Sequence, residues 1–114
     1  MKKKLEFLNP IEKKAITSFV KTVKEKLADE IIVIRLFGSK VRGNFKEDSD
    51  IDIFILVKEK NQKINDILSK IEVAWDLKYN LPISTVLYSL YEYQKNKELN
   101  SFFFENVEKE GIIL

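Results

Sequence analysis

The stretch LFGSKVRGNFKEDSDIDIFILV, residues 36–57, decides how this chain of 114 residues is read. A glycine–serine pair, Gly38-Ser39, closes one apolar run, and two aspartates one residue apart, Asp50 and Asp52, open the next. Residues 31–37 are β-branched and almost continuously apolar, the pattern of a buried strand stopped by Gly38. Residues 51–57 read as a second strand. Alternate residues of a strand share a face, so Asp50 and Asp52 would aim both carboxylates at one point while Ile51 faces away. Carboxylates held that close repel unless a proton or a cation is shared between them. Asp48, Ser49 and Asp50 are turn formers, and a turn accounts for Asp50. It does not account for Asp52, which lies inside an apolar run where an unpaired carboxylate is expensive. Short oxygen ligands of this kind suit Mg²⁺, which takes one or two carboxylates together with substrate phosphates and water.

Gly38-Ser39 supplies the complementary half. Glycine lets the backbone approach a ligand closely. A turn leading into a helix exposes N–H groups that favour an anion, and residues 40–44 read as a short helix or turn ending at Gly43. The Ser39 hydroxyl can donate to a phosphate oxygen, and Lys40 and Arg42 add positive charge. For one site to form, strands one and two must run antiparallel. A strand–helix–strand crossover then makes the third strand parallel to the second and brings its start, near 83–85, to the same edge. A phosphate cradle facing a carboxylate metal site contains the recurring parts of phosphoryl or nucleotidyl transfer.

Composition limits the alternatives. The chain contains neither histidine nor cysteine, which removes imidazole bases and ligands, thiolate nucleophiles, cysteine zinc sites and disulfides. Any chemistry must run on carboxylates, hydroxyls, lysines, arginines and a borrowed metal ion. A formal net charge of +2 argues against a dedicated nucleic-acid binder. The two arginines, Arg35 and Arg42, both flank Gly38-Ser39, and arginine is the better fork for phosphate. No apolar run is long enough to span a bilayer or to serve as a signal peptide, so the expectation is a cytoplasmic protein of one domain, residues 1–114.

Outward from the central stretch, Asn9, Pro10 and Glu12 have the form of a capped helix start. Ile11, Ala15, Phe19, Val20, Val23 and Leu27 form its apolar stripe. Ile64, Ile67, Leu68, Ile71 and Trp75 line a second long helix ended before Pro82. Residues 83–88 read as a third, more polar strand. Ser89 with Glu92 reads as a capping box, and 100–110 as a last helix stopped by Gly111. The expected fold is α/β (α+β): a small three-stranded mixed sheet, strands one and two antiparallel, flanked by four to five helices. Phe102, Phe103 and Phe104 cannot all face one core. At least one is expected at the surface, under the C-terminal tail or at a partner or homodimer contact. Phe45 is a candidate for stacking on a base.

Gly38-Ser39-Lys40-Val41-Arg42-Gly43 followed by Ser49-Asp50-Ile51-Asp52 resembles the nucleotidyltransferase superfamily that includes DNA polymerase beta. It is most similar to the minimal nucleotidyltransferase (MNT) domains. Two motifs agree in order and spacing, the element order fits throughout, and the tail SFFFENVEKEGIIL looks like the C-terminus of many bacterial and archaeal members. The resemblance implies Mg²⁺-dependent transfer of a nucleoside monophosphate, usually AMP from ATP, to an acceptor hydroxyl. It implies Gly38, Ser39 and Arg42 on the triphosphate, with Asp50 and Asp52 as the catalytic metal ligands. It also implies a protein partner, since MNT proteins commonly accompany a HEPN-domain toxin, a helical RNase, whose tyrosine they can adenylylate as antitoxins. Neither a membrane nor direct nucleic-acid contact is implied. The family's third carboxylate, on strand three, is expected near Ser84, and a serine there weakens a second metal. Asp48, Glu47 or a partner carboxylate could substitute. Glu72 and Asp76, off the apolar stripe of their helix, are expected to be solvated. The second reading that follows is an antitoxin that neutralises its HEPN partner by binding, with little or no catalysis.

Overall fold

A computed structural model of the chain describes residues 8–38 and 50–114. Helix α1 (Pro10–Leu27) starts as its sequence predicts: Glu12 N–H donates to Asn9 Oδ1 at 2.8 Å, and Asn9 N–H to Glu12 Oε1 at 3.0 Å. These reciprocal bonds satisfy backbone donors that a helix start otherwise leaves unpaired. Ile11, expected on the apolar stripe, is instead 61% exposed, and Ile16 is buried. The centre of the stripe runs through Glu12, Ile16, Phe19 and Val23, so Ile11 falls on its flank. A 3-10 turn (Ala28–Glu30) leads into β1 (Ile31–Phe37). The remaining elements are β2 (Ile51–Val57), α2 (Gln62–Tyr79), β3 (Ile83–Ser89), α3 (Leu90–Glu98), α4 (Phe102–Glu110) and β4 (Ile112–Ile113).

The sheet order is β3-β2-β1-β4. β1 and β2 are antiparallel and β2 and β3 parallel, the arrangement that a shared edge requires. The fourth strand departs from the three expected. Helix α4 begins two residues later than expected because Asn100 is left-handed (φ 55°) and Ser101 caps the helix. It ends where Gly111 N–H donates to the Val107 carbonyl at 2.9 Å. A Cβ on Gly111 would lie 2.4 Å from that oxygen, so glycine is needed for space although its backbone is extended. The chain then pairs Ile112 with Leu36 and Ile113 with Arg35, antiparallel. Two residues show no alternation, which hides such a strand in the sequence.

Each face of the sheet has its own core. Ile51, Ile53, Ile55 and Val57 pack with Ile34, Leu36 and Ile83 against Phe19, Val23, Ile64, Leu68 and Ile71 of α1 and α2. Trp75 of α2 joins this layer and donates Nε1–H to Ser18 Oγ (2.9 Å) and the Ala15 carbonyl (3.1 Å). The opposite face is aromatic. Phe54 is fully buried, with the rings of Tyr88, Tyr93 and Phe103 centred 5.5–5.8 Å away. The three phenylalanines of α4 diverge with the turn of the helix. Phe103 enters this core, Phe104 stacks on Tyr93, and Phe102 is 85% exposed.

Arg35 serves this second face. Its Nη1 donates to the Val107 carbonyl at 3.3 Å and pairs with Glu108 at 3.5 Å, and the Tyr93 hydroxyl donates to the same Glu108 carboxylate. Burial first, and then Glu108, push the Tyr93 phenol up to about 12. An unfolded tyrosine ionises near pH ~10. The folded value is the higher one, so the stabilisation is complete below pH ~10 and is lost as pH rises through the folded value. Urea titrations across that alkaline window should show a shallower fall in stability for Tyr93→Phe than for the parent chain.

Candidate functional site

Three chain segments meet at one edge of the sheet. Phe37, the last residue of β1, pairs with Asp52, and Asp52 pairs in parallel register with Ser84 of β3. Ile51 N–H donates to the Pro82 carbonyl at 2.9 Å, tying together the starts of β2 and β3. Side chains on this face follow the strand alternation. Phe54 and Leu56 of β2, with Val86 and Tyr88 of β3, pack in the aromatic core. Asp52 and Ser84 precede them by even steps and share that face.

Gly38 turns the chain away immediately after β1 with φ 84°, the left-handed region in which a Cβ is disfavoured. Its lack of a side chain has a second use. A Cβ at this position would lie 2.3 Å from Asp52 Oδ2 and 3.1 Å from Cγ. The half-buried Asp52 carboxylate occupies the space that glycine leaves. Asp50 immediately precedes β2 and is exposed at the same rim. Gly38, Asp50, Asp52 and position 84 are thus collected at one edge. Ser39 and Arg42 lie outside the described residues, as do the expected short helix at 40–44, Phe45, Glu47 and Asp48.

Hard, anionic oxygens at the rim, one of them fixed by a close-packed backbone, form a donor set that fits a divalent cation such as Mg²⁺. Among the described residues no group of three or more acidic side chains is placed to hold a metal. Glu72 was expected in solvent, but it is half-buried and accepts the Thr85 hydroxyl. Thr85 belongs to the odd-numbered set of β3, which faces α2, so Glu72 is held on the other side of the sheet from Asp52. A cleft of about 210 Å³ on that side is lined by Glu72, Val73, Asp76, Pro82 and Ile83.

Two features of the edge escape sequence reading. Arg35, adjacent in sequence to the site, is committed to Val107 and Glu108. Phe37 stands beside Asp52 on the same face, with the Phe103 ring 5.6 Å away. The antiparallel pairing across residues 37 and 52 is the signal that would have found Phe37. The join with α4 has no sequence signal.

Comparison with known proteins gives this geometry a context. Residues 16–114 match the model of the nucleotidyltransferase domain. The chain is 39% identical over 103 residues to the candidate protein adenylyltransferase MJ0604 of Methanocaldococcus jannaschii, across 90% of this chain and 97% of that protein. Among solved structures, a crystal structure of a toxin–antitoxin with AMP-PNP contains a chain that superposes with a TM-score of 0.58 at 17% identity. That match covers 84% of this chain and 69% of the other. A candidate minimal nucleotidyltransferase superposes with a TM-score of 0.52 at 22% identity, covering 89% and 94%. At such identities the two superpositions speak to the fold, and the sequence match speaks to the family. The chain belongs to the nucleotidyltransferase domain family.

Proposed function

We propose that this nucleotidyltransferase moves AMP from ATP to a hydroxyl of a protein partner, and that the partner is a HEPN-type toxin which it restrains as an antitoxin. The observation that carries the reading is the close seating of the Asp52 carboxylate against Gly38, beside Asp50, at an edge shared by three strands. The similarity to MJ0604 supports a protein as acceptor. The toxin–antitoxin with AMP-PNP supports a toxin partner and a nucleoside triphosphate.

In this reading Gly38, Ser39 and Arg42 hold the triphosphate, and Asp50 and Asp52 hold Mg²⁺. When bound there, such an ion would supply neutralisation of the charge that builds on the phosphate oxygens. The acceptor hydroxyl oxygen attacks the α-phosphorus in line, forming the new O–P bond. The bond from that phosphorus to the α,β-bridging oxygen breaks, and pyrophosphate departs with its electron pair. The hydroxyl proton leaves to water. Asp52, fixed by the strand register, orients the reacting phosphate, and positioning of this kind supplies much of the acceleration in such transfers.

Incubating the chain with ATP, Mg²⁺ and the HEPN partner, followed by intact-mass and fragment analysis, tests this. The expected result is a partner heavier by AMP residues on a hydroxyl side chain. A second reading, neutralisation by contact with little or no transfer, is favoured by the neutral Ser84 beside Asp52. It predicts an unmodified partner that is inhibited all the same, with exposed Phe102 a better contact candidate than half-buried Phe103.

A further inference from the structure

We infer that the acceptor protein docks as an extended strand along the free side of β3, and that it presents its hydroxyl from the residue lying opposite Ser84. This docking deepens the proposed reading and rests on it for the transfer itself. Among the described residues β3 pairs with β2 alone and closes the sheet on that side. All of β2 except Asp52 is buried, whereas all of β3 except Ile83 is half-buried. The N–H and C=O of a strand residue point to one side, and the side alternates along the strand. The Pro82 carbonyl accepts from Ile51 of β2, so Ser84, Val86 and Tyr88 also turn their backbone groups to β2. Ile83, Thr85 and Leu87 turn theirs outward, where no hydrogen bond among the described residues meets them. At Ser89 the outward N–H is taken by Glu92 Oε1 at 3.0 Å, which ends the open row. Strands left open in this way ordinarily carry charges or a proline that discourage pairing. The sequence ISTVLYS, residues 83–89, carries neither.

Such a row is matched by another extended chain, whose main-chain groups complete the ladder. Its start lies beside the site, because Ser84 pairs with Asp52. Paired residues point to the same face of a sheet, so a residue opposite Ser84 would share the face of Asp52, two strand spacings or about 10 Å away. That gap leaves room for the nucleotide. The residues on either side of it would face α2 instead, as Thr85 does in reaching Glu72. There they meet the cleft lined by Glu72, Val73, Asp76, Pro82 and Ile83. Val73 and Leu77, four residues apart on α2 and so on one face of it, are 60% and 82% exposed. Two carboxylates on an apolar wall fit lysine or arginine, whose stem covers apolar surface while the head keeps its charge. The docking segment is thus a hydroxyl residue flanked by a basic one, in a stretch outside the helices of a HEPN-type partner. The β3 strand of a second copy would bring no basic residue to this cleft.

Amide hydrogen exchange read by nuclear magnetic resonance, on the intact chain with and without the proposed HEPN-type partner, tests this beside labelling of that partner from α-labelled ATP and Mg²⁺. The expected result is labelling, with exchange of the Thr85 and Leu87 amides slowed roughly tenfold or more in the complex. Leu87→Pro removes one outward N–H and leaves the pairing with β2 in place. It should raise KM for the partner about tenfold and leave KM for ATP unchanged. Circular dichroism reports folding, and Asp76→Lys, exposed on α2, serves if Leu87→Pro misfolds; it should raise the same KM severalfold. Labelling with unchanged exchange at both amides, or with the parent KM in a folded variant, would overturn the docking and leave the proposed function standing. Slowed exchange without labelling would support the docking and overturn the transfer, and neither signal would overturn both. Slowed exchange in the chain alone that grows with its concentration would assign the row to a second copy and overturn the inference.

Discussion

Asp52→Asn is expected to remove AMP transfer while leaving the fold intact. Asparagine has nearly the shape of aspartate, so the half-buried position beside Gly38 stays filled. What disappears is the anionic oxygen that would hold the metal. Lewis-acid stabilisation of a phosphoryl oxygen is worth several kcal/mol, so the rate of labelling should fall by roughly 10²–10⁴-fold. The measurement is the initial rate of label transfer from α-labelled ATP to the proposed HEPN-type partner, with thermal unfolding as the control for stability. A folded Asp52→Asn chain that labels its partner at the parent rate would remove Asp52 from the chemistry.

Gly38→Ala should affect both stability and rate, for two separable reasons. The φ of 84° disfavours any Cβ, at a cost of about 1–2 kcal/mol by analogy with left-handed helical residues. The added methyl also claims the place of Asp52 Oδ2, 2.3 Å away. Asp52 is short and belongs to a paired strand, so its carboxylate must rotate or shift out of the edge. A displacement near ~1 Å at a reacting centre can cost about 10²-fold in rate. Urea unfolding should show the stability loss, and labelling at saturating Mg²⁺ should show the larger catalytic loss. A rate loss no greater than the change in folded fraction would separate Gly38 from the site and leave it a turn residue.

The central stretch was legible because its pattern is dense. Residues 31–37 and 51–57 carry so few polar positions that Asp52 stands out among buried neighbours. The demand that Gly38 and Asp52 share an edge forces antiparallel β1 and β2, which the structure bears out. The capping boxes at Asn9 and Ser89 were equally legible, since each rests on a fixed three-residue spacing. Features set by tertiary contact were not. β4 is two residues long and exists because Gly111 turns the chain back onto β1. Ile11 lies on the flank of α1, not on its apolar stripe, because the capping box puts Glu12 on the inner side. Helical periodicity places Glu72 in solvent and does not reveal that Thr85 reaches it from the neighbouring strand. Of the candidate site, Gly38, Asp50, Asp52 and Ser84 are gathered at one edge by the strand register, and Phe37 beside them emerges only from that register.

The most direct test of nucleotidyl transfer compares two labels. The chain, Mg²⁺ and the proposed HEPN-type partner are incubated in parallel with ATP labelled at the α-phosphate and with ATP labelled at the γ-phosphate. The account predicts label on the partner from the α-position only, with the γ-label recovered as pyrophosphate. Label arriving from the γ-position, or from neither while the partner is still neutralised, would contradict it.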